Sequence, residues 1–419
     1  MAAPRSRPAL AAFAHRDFRV FWLAALASNT GSWMQNAALP YVAFALTGRY
    51  GGVGATGFWQ YLPVMLMGAA GGSIADRFDR RRVLILTQVA QATFAVALWA
   101  LVASGTATAG RLSALAFASG LAGGLNIPVW QAFVGQLVPR EALLNAVTLN
   151  SAQFNAARAL GTFAAGLIIA VSGPSVVFAV NAVSFGCVLA ALALIPGRGR
   201  PSARASRGAV RDLLDGVRYV RSVPAIVSCC IAIIAIAGLA SPLFSFVTAT
   251  YADRVFVIGG WQRGLLWAAG GIGAVAVSPA LLTIGARIPR DRLLLGAMLS
   301  HAAGTAVVGL APRWWVAAFG LMLYGGSYLV MATAMNTTIQ LVALEEMRGR
   351  TYAVYVMCLT GALPIGLLVW GWAADRWAIR PVTVTAGALL ALVVVGFHLS
   401  GRLKAMARAD ASAARAFTE

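Results

Sequence analysis

Long apolar runs separated by short, mostly basic loops dominate this chain and leave few folds open to it. A helix needs about 20 predominantly apolar residues to cross a bilayer. Twelve runs have that character, at residues 18–47, 54–75, 83–104, 111–137, 142–170, 174–195, 224–250, 261–284, 293–311, 313–341, 351–374 and 380–400. Several exceed the lipid core, an excess that tilt or extension into the headgroup region absorbs. Composition agrees: 60% of residues are hydrophobic and 11% charged, against about 25% charged in a soluble chain. The expected fold is an all-α polytopic membrane protein with 12 transmembrane helices.

Orientation follows from the positive charges. With the N-terminus inside, 25 of the 33 Lys and Arg fall in the termini and the even-to-odd loops, 7 fall outside, and Arg158 alone lies within a span. Both termini are thus expected on the inner face. The net charge of +20 invites a nucleic-acid partner. The basic residues, however, sit between apolar runs, where anionic headgroups are nearer, so membrane lipid is expected and nucleic acid is not. Arg5, Arg7, Arg16 and Arg19 precede or open a first run too long for a cleavable signal sequence. Cys187, Cys229, Cys230 and Cys358 lie in apolar runs without metal-ligand spacing and read as ordinary buried cysteines. No Walker A, HExxH or CxxC pattern appears, and Gly270-Gly271-Ile272-Gly273 lies inside a span as a helix contact. Neither catalysis nor a cofactor nor a metal is expected.

The chain divides into a six-helix bundle at 1–195, a linker at 196–223, a second bundle at 224–400 and an inner-face tail at 401–419. The linker begins polar and arginine-rich. It then places apolar residues at 210, 213, 214, 217 and 220, the spacing of an amphipathic helix at the membrane surface. Gly72…Asp76-Arg77…Arg80-Arg81-Arg82 in the first half has a weak counterpart in Gly285-Ala286-Arg287…Arg290-Asp291-Arg292. Two equivalent bundles with a path between them are one standard plan for a transporter, for which a monomer suffices.

Three segments carry a family resemblance. One is His15-Arg16-Asp17-Phe18-Arg19…Phe21-Trp22 with Ser28-Asn29…Gly31-Ser32-Trp33-Met34-Gln35. Another is Gly72-Ser73-Ile74-Ala75-Asp76-Arg77-Phe78-Asp79-Arg80-Arg81. The third is Leu137-Val138-Pro139-Arg140-Glu141, followed by Asn145-Ala146, Asn150-Ser151, Asn155 and Arg158-Ala159-Leu160-Gly161. With these the chain resembles the major facilitator superfamily over nearly its whole length. Within it, the chain is similar to the drug and siderophore exporters, a branch that includes transmembrane secretion effectors, enterobactin exporters and macrolide efflux proteins. The resemblance implies alternating access between two bundles in a bacterial cytoplasmic membrane, and export as the direction. In the family's antiporter motif Gly-Pro is common, whereas this chain has Gly161-Thr162, which weakens antiport as an inference.

Candidate site residues follow from polar groups placed where lipid would penalise them. Arg158 is costly inside a span, by about 2.5–3.5 kcal/mol on insertion scales. It shares one helical face with Thr148, Ser151, Asn155 and Thr162. A fixed cation there would attract an anionic or catecholate-like cargo, or hydrogen-bond a neutral one; a structural Arg satisfied by carbonyls is the alternative. Asn29, Trp33 and Asn36 form a mixed face on the first span, and Asn126, Trp130 and Phe133 one on the fourth, each suited to an amphipathic solute. In the second half Phe244, Tyr324, Tyr328, Met331 and Tyr355 supply aromatic and adaptable apolar surface, which could equally be core. Gly72, Asp76, Arg77, Arg80 and Arg81 read as a gate at the inner loop, a role the resemblance also implies. For Arg80 and Arg81 a simple positive-inside loop is the alternative.

Protons are the expected coupling ion, but no Asp or Glu lies near the centre of any span. Asp253, near the end of the seventh span, and His301, in the ninth, are the candidates, with a buried structural role open for His301. The reading is a secondary active exporter of small amphipathic organic molecules, such as drugs or toxins. A dedicated siderophore or secondary-metabolite exporter, an importer, and a membrane receptor or scaffold that moves nothing are the alternatives.

Overall fold

The computed structural model describes residues 10–196, 209–283, 285 and 288–402, with backbone alone at 68–77, 144, 209, 210, 212 and 282. A 3-10 turn at Ala11–Ala14 leads into α1 (Arg16–Thr47), α2 (Tyr50–Arg77), α3 (Arg80–Ala103), α4 (Ala109–Val134), α5 (Leu143–Ser172) and α6 (Pro174–Leu194). The linker carries α7 (Ala209–Ser222). The second half opens with α8 (Pro224–Ala235) and α9 (Ser241–Thr250), joined by a π-helical turn at Ile236–Ala240 and ended by another at Tyr251–Val255. Then come α10 (Gly260–Thr283), α11 (Arg290–Leu310), α12 (Trp314–Val342), α13 (Arg348–Trp377) and α14 (Ile379–Leu399).

Among the described residues, ten helices are long and apolar enough to cross a membrane. The helices α1 and α2 have 32 and 28 residues but are not among the ten. In α1 the apolar pattern is diluted by Ser28, Asn29, Thr30, Ser32, Gln35 and Asn36.

Local chemistry sets the helix ends. Gly48 closes α1 in the left-handed region, at φ 64°, and its N–H returns to the Phe44 carbonyl. Asp79 caps α3 by accepting from the Arg82 N–H at 3.0 Å, and Thr108 caps α4 by accepting from Arg111 at 3.3 Å. Pro174 and Pro224 sit in the first turns of α6 and α8, where a missing N–H is harmless. Pro242 is different, because it follows the π turn and has no N–H to offer the carbonyl of residue 238. That Gly238 carbonyl is taken instead by the Trp370 indole of α13 at 2.9 Å.

The first six helices pack as one bundle, α2 against α4, α1 against α5 and α6, and α3 against α4 and α6. In the second, α12 packs on α10 and α11, and α11 packs on α14. The bundles meet along α2–α13 and α5–α10, with α1 also touching α9. Lipid tails are as apolar as leucine, so close packing rather than the hydrophobic effect holds such helices together. Glycine supplies the closeness: a Cβ on Gly271 would lie 2.6 Å from the Cα of Ala159. The helix α7 lies on the second bundle. Its Leu213 and Val217 pack against that core, Gly216 abuts Arg350, and Tyr219 accepts the Leu344 N–H at 3.0 Å, while Leu214 stays exposed.

Candidate functional site

Midway along α5, just before the close contact of Ala159 with Gly271, the guanidinium of Arg158 lies between two rings. It is 5.0 Å from the Trp33 ring centroid, on α1, and 5.5 Å from that of Tyr328, on α12. A cation within about 6 Å of a ring centroid is held by the ring's negative face. The two rings come from different bundles, so this one charge touches both halves. Tyr61 of α2 lies within electrostatic reach of both Arg158 and Tyr328. Among the described residues, no carboxylate pairs with Arg158.

The polar stripe of α5 satisfies itself locally. Ser151 donates to the Val147 carbonyl at 3.0 Å, Asn155 to that of Ser151 at 2.9 Å, and Thr162 to that of Arg158 at 2.9 Å. Such back-bonds leave the Asn155 Oδ1 and the Ser151 lone pairs open. Ser151 is exposed, and Asn155 and Arg158 are half-buried. On α1, Trp33 meets Phe154 edge-on at 5.6 Å. Asn29 donates to Gln153 at 3.1 Å, and Asn36 accepts from Gln60 at 2.9 Å. Arg158, Trp33, Asn155 and Tyr328 therefore gather where the bundles face one another. Tyr61 and Gln60 join them without having been singled out in the sequence. The available signal was an amide and a phenol adjacent within an apolar run.

Other sequence candidates lie inside one bundle. Asn126 accepts from Thr87 at 2.9 Å and Gln88 at 3.2 Å, which turns it toward α3. Trp130 is 9% exposed, packs on Phe21 at 4.6 Å and donates to Asn150 at 3.4 Å. On α4, therefore, Asn126 faces α3, while Trp130 and Phe133 pack on Phe21 of α1 inside the first bundle. Met331 and Tyr355 belong to the buried core of the second bundle. Tyr324 is buried there too, stacked on Phe244 at 6.3 Å. His301 is fully buried, its Nδ1 3.0 Å from both the Tyr324 carbonyl and Ser327 Oγ. Gly72, Asp76 and Arg77 lie in the last two turns of α2, where only the backbone is described, so the gate expected of them falls outside the described side chains. Arg80 opens α3, and Arg81 donates to the Leu192 carbonyl at 2.7 Å, a cation at the C-terminus of α6 within its own bundle.

A second meeting place lies at the helix ends that carry the α1–α2 turn. Asp375 of α13 accepts from the first backbone amides of α2, Tyr50 at 2.6 Å and Gly51 at 2.9 Å, and Arg49 Nε lies 3.5 Å away. A carboxylate from one bundle thus caps a helix of the other. Beside it Tyr50 donates to Thr250 at 3.3 Å. Asp253 forms an ion pair with Arg263, whose guanidinium lies 5.6 Å from the Tyr41 ring of the other bundle. Sequence reading placed Asp253 near a span end and did not foresee this partner.

The chain matches the family model described as transmembrane secretion effector over residues 7–419. It is similar to the multidrug efflux pump Tap of Mycolicibacterium fortuitum, 24% identical over 363 residues that cover 84% of this chain and 88% of that protein. It is also similar to the enterobactin exporter EntS of Escherichia coli O81 (strain ED1a), 25% identical over 397 residues covering 92% and 91%. A solved POT family transporter in complex with 5-aminolevulinic acid superposes with a TM-score of 0.76. It covers 93% of this chain and 96% of that one at 12% identity, a likeness of fold alone.

Proposed function

Because the chain belongs to the transmembrane secretion effector family of the major facilitator superfamily, a group of secondary active transporters of bacterial inner membranes, we propose that it exports small amphipathic organic molecules by alternating access. The observation that carries this reading is Arg158 between Trp33 and Tyr328. The three side chains combine a charge with two aromatic faces, which suits a solute having one polar end and one flat apolar body. They also join the two bundles, so rocking one bundle against the other would change the side from which the solute is reached. Twelve spans with both termini inside, split at the 196–223 linker, complete the proposed arrangement. In that orientation the Asp375 cap on α2 closes the outer face and the site would load from the cytoplasm or inner leaflet.

Gly72, Asp76, Arg77, Arg80 and Arg81 would gate the opposite face. Protons are the coupling ion expected from the sequence, with Asp253 and His301 as the candidate carriers. In the structure Asp253 is paired with Arg263, and His301 is enclosed by α12. A drug or toxin is the first-choice cargo, in keeping with the relative named as a multidrug efflux pump. A siderophore or other secondary metabolite is the second reading, favoured by the charge of Arg158, which no carboxylate among the described residues pairs, and by the relative named as an enterobactin exporter.

The test compares metabolites in cells and medium between a deletion strain and its complemented parent, at low and high iron, together with survival on a panel of amphipathic toxins. Retention of a metabolite or sensitivity to toxins, reversed by the wild-type chain and not by Arg158→Ala at equal expression, is expected. Full complementation by Arg158→Ala would remove the site from the path. No difference in any assay would favour a receptor or scaffold that transports nothing.

A further inference from the structure

The second bundle holds a groove that the export reading does not use. Both α10 and α11 pack along α12, and between them lies a space of about 590 Å³ with α12 as its floor. Gly273 and Val277 of α10, Gly296 and Ser300 of α11, and Met322 and Gly326 of α12 line it. Small residues make the room: a Cβ on Gly296 would meet nothing within 4 Å. Ala276, Gly296 and Phe319 are exposed, and Arg158, Trp33 and Tyr328 are not in the lining, so the groove opens on the flank of the bundle. Along α12 it runs from Phe319 to Val330, about 16 Å at a helical rise of 1.5 Å per residue. That is the depth of one leaflet, half of a hydrocarbon core of roughly 30 Å. At the end where α11 begins stands Arg292, which is exposed. Among the described residues it has no ion pair or hydrogen bond. It closes a stretch, Arg287 to Arg292, with three arginines and one acid, and that acid, Asp291, keeps its Oδ1 buried.

We propose that this groove binds an anionic phospholipid of the inner leaflet, with an acyl chain in the groove and the phosphodiester on Arg292. The choice of leaflet rests on the orientation proposed above, in which the loop before α11 faces inward; binding itself does not depend on transport. Basic pockets between membrane helices on the cytoplasmic side take anionic headgroups, and each arginine near that surface contributes about a fivefold gain in affinity. The guanidinium fork matches two phosphodiester oxygens. Glycine walls let a methylene chain touch the helix backbones, supplying dispersion contacts that bare walls lack. The length of the groove selects a tail joined to a headgroup at the membrane surface, because a free anion at Arg292 would leave the apolar part unused. Helical spacing puts Tyr328 on the side of α12 away from Gly326 and Val330, so the lipid backs the helix that presents Tyr328 to Arg158.

The test uses the purified full-length chain, delipidated in detergent and titrated with phosphatidylglycerol or phosphatidylcholine of identical tails, with bound lipid counted by native mass spectrometry. One phosphatidylglycerol per chain is expected to bind at least about fivefold more tightly than phosphatidylcholine. Arg292→Gln should bring the two lipids to near parity. Gly296→Leu, whose side chain enters open space, should remove the tight site for both lipids. Unchanged circular dichroism and gel-filtration profiles exclude misfolding, and if Gly296→Leu does not fold, Arg292→Gln decides alone. Glycerol 3-phosphate, a headgroup without tails, should not compete. Equal affinity for the two lipids in the wild-type chain, phosphatidylglycerol binding that survives Arg292→Gln unchanged, or competition by glycerol 3-phosphate at lipid affinity would each overturn the proposal. Because the readout is binding, its failure leaves the export reading standing, and failure of export leaves the lipid site standing.

Discussion

The two bundles meet in two chemically opposite ways. At the α1–α2 turn charge meets charge across the bundles, where Asp375 accepts two α2 amides and faces Arg49, and within the second bundle Asp253 neutralises Arg263 beside the Tyr41 ring of the first. At the centre charge meets only π-faces, Trp33 and Tyr328 around Arg158. Matched charges make a contact that is complete in itself, with directional bonds and little attraction left for a third party. A cation held by quadrupoles is fixed in place yet keeps most of its appetite for an anion. The first pattern suits a seal, and the second suits a site that must accept a partner and give it up.

Breaking this contrast at the centre should have the largest effect. Arg158→Ala is expected to cut export at least 100-fold with unchanged expression, measured as initial efflux rate, because it removes the charge held between Trp33 and Tyr328. At the seal, Asp253→Ala leaves the Arg263 guanidinium, 10% exposed, without its acid. A fully buried pair broken this way costs about 3–5 kcal/mol; with Asp253 34% exposed about 2 kcal/mol is expected, read as a lower unfolding midpoint in detergent. Gly271→Ala tests the packing between the two regions. Its new methyl overlaps Ala159, so a loss of about 1–3 kcal/mol is expected by the same assay, with transport impaired more than folding.

Asp375→Asn sharpens the contrast further. It keeps an acceptor for one α2 amide and loses the charge, so the closed end should open in a larger fraction of molecules. Spin labels at Thr106 and Val257, both exposed loop positions, would report a longer distance population in the variant. An unchanged distance distribution would show that the cap does not hold the seal. Tyr328→Phe keeps the ring face and removes the hydroxyl, and a change in export below about threefold is expected, consistent with a role through the π-face.

Most of the fold was legible because lipid punishes exposed backbone so heavily that apolar run length almost dictates helix number. At α1 the run is less apolar, because the same Asn29 and Asn36 that mark it as a candidate cavity wall also lower its hydropathy. Arg158 was legible for a related reason, a charge inside an apolar run being costly enough to need an explanation. Its ring partners were only partly so. Helical spacing says which residues share a face and not which neighbour that face meets. Trp33 and Tyr328 reach Arg158, whereas Trp130 and Met331, equally periodic, fill the interior of a bundle. The Asp375 cap had no local signature at all, since its partners Tyr50 and Gly51 are more than 300 residues away in sequence. The π turn before Pro242 and the Trp370 indole that completes it have no local sequence signature either.

That tryptophan makes α13 a mechanical part as well as a packed one. Trp370 grips the carbonyl released at the break between α8 and α9, and Asp375, five residues on, grips the first turn of α2. At about 1.5 Å of rise per residue the two grips are some 7–8 Å apart on one continuous helix. A rod that short does not bend appreciably between its clamps. Any flexing of the jointed helix in one bundle is therefore delivered, nearly undiminished, to the fastening on the other.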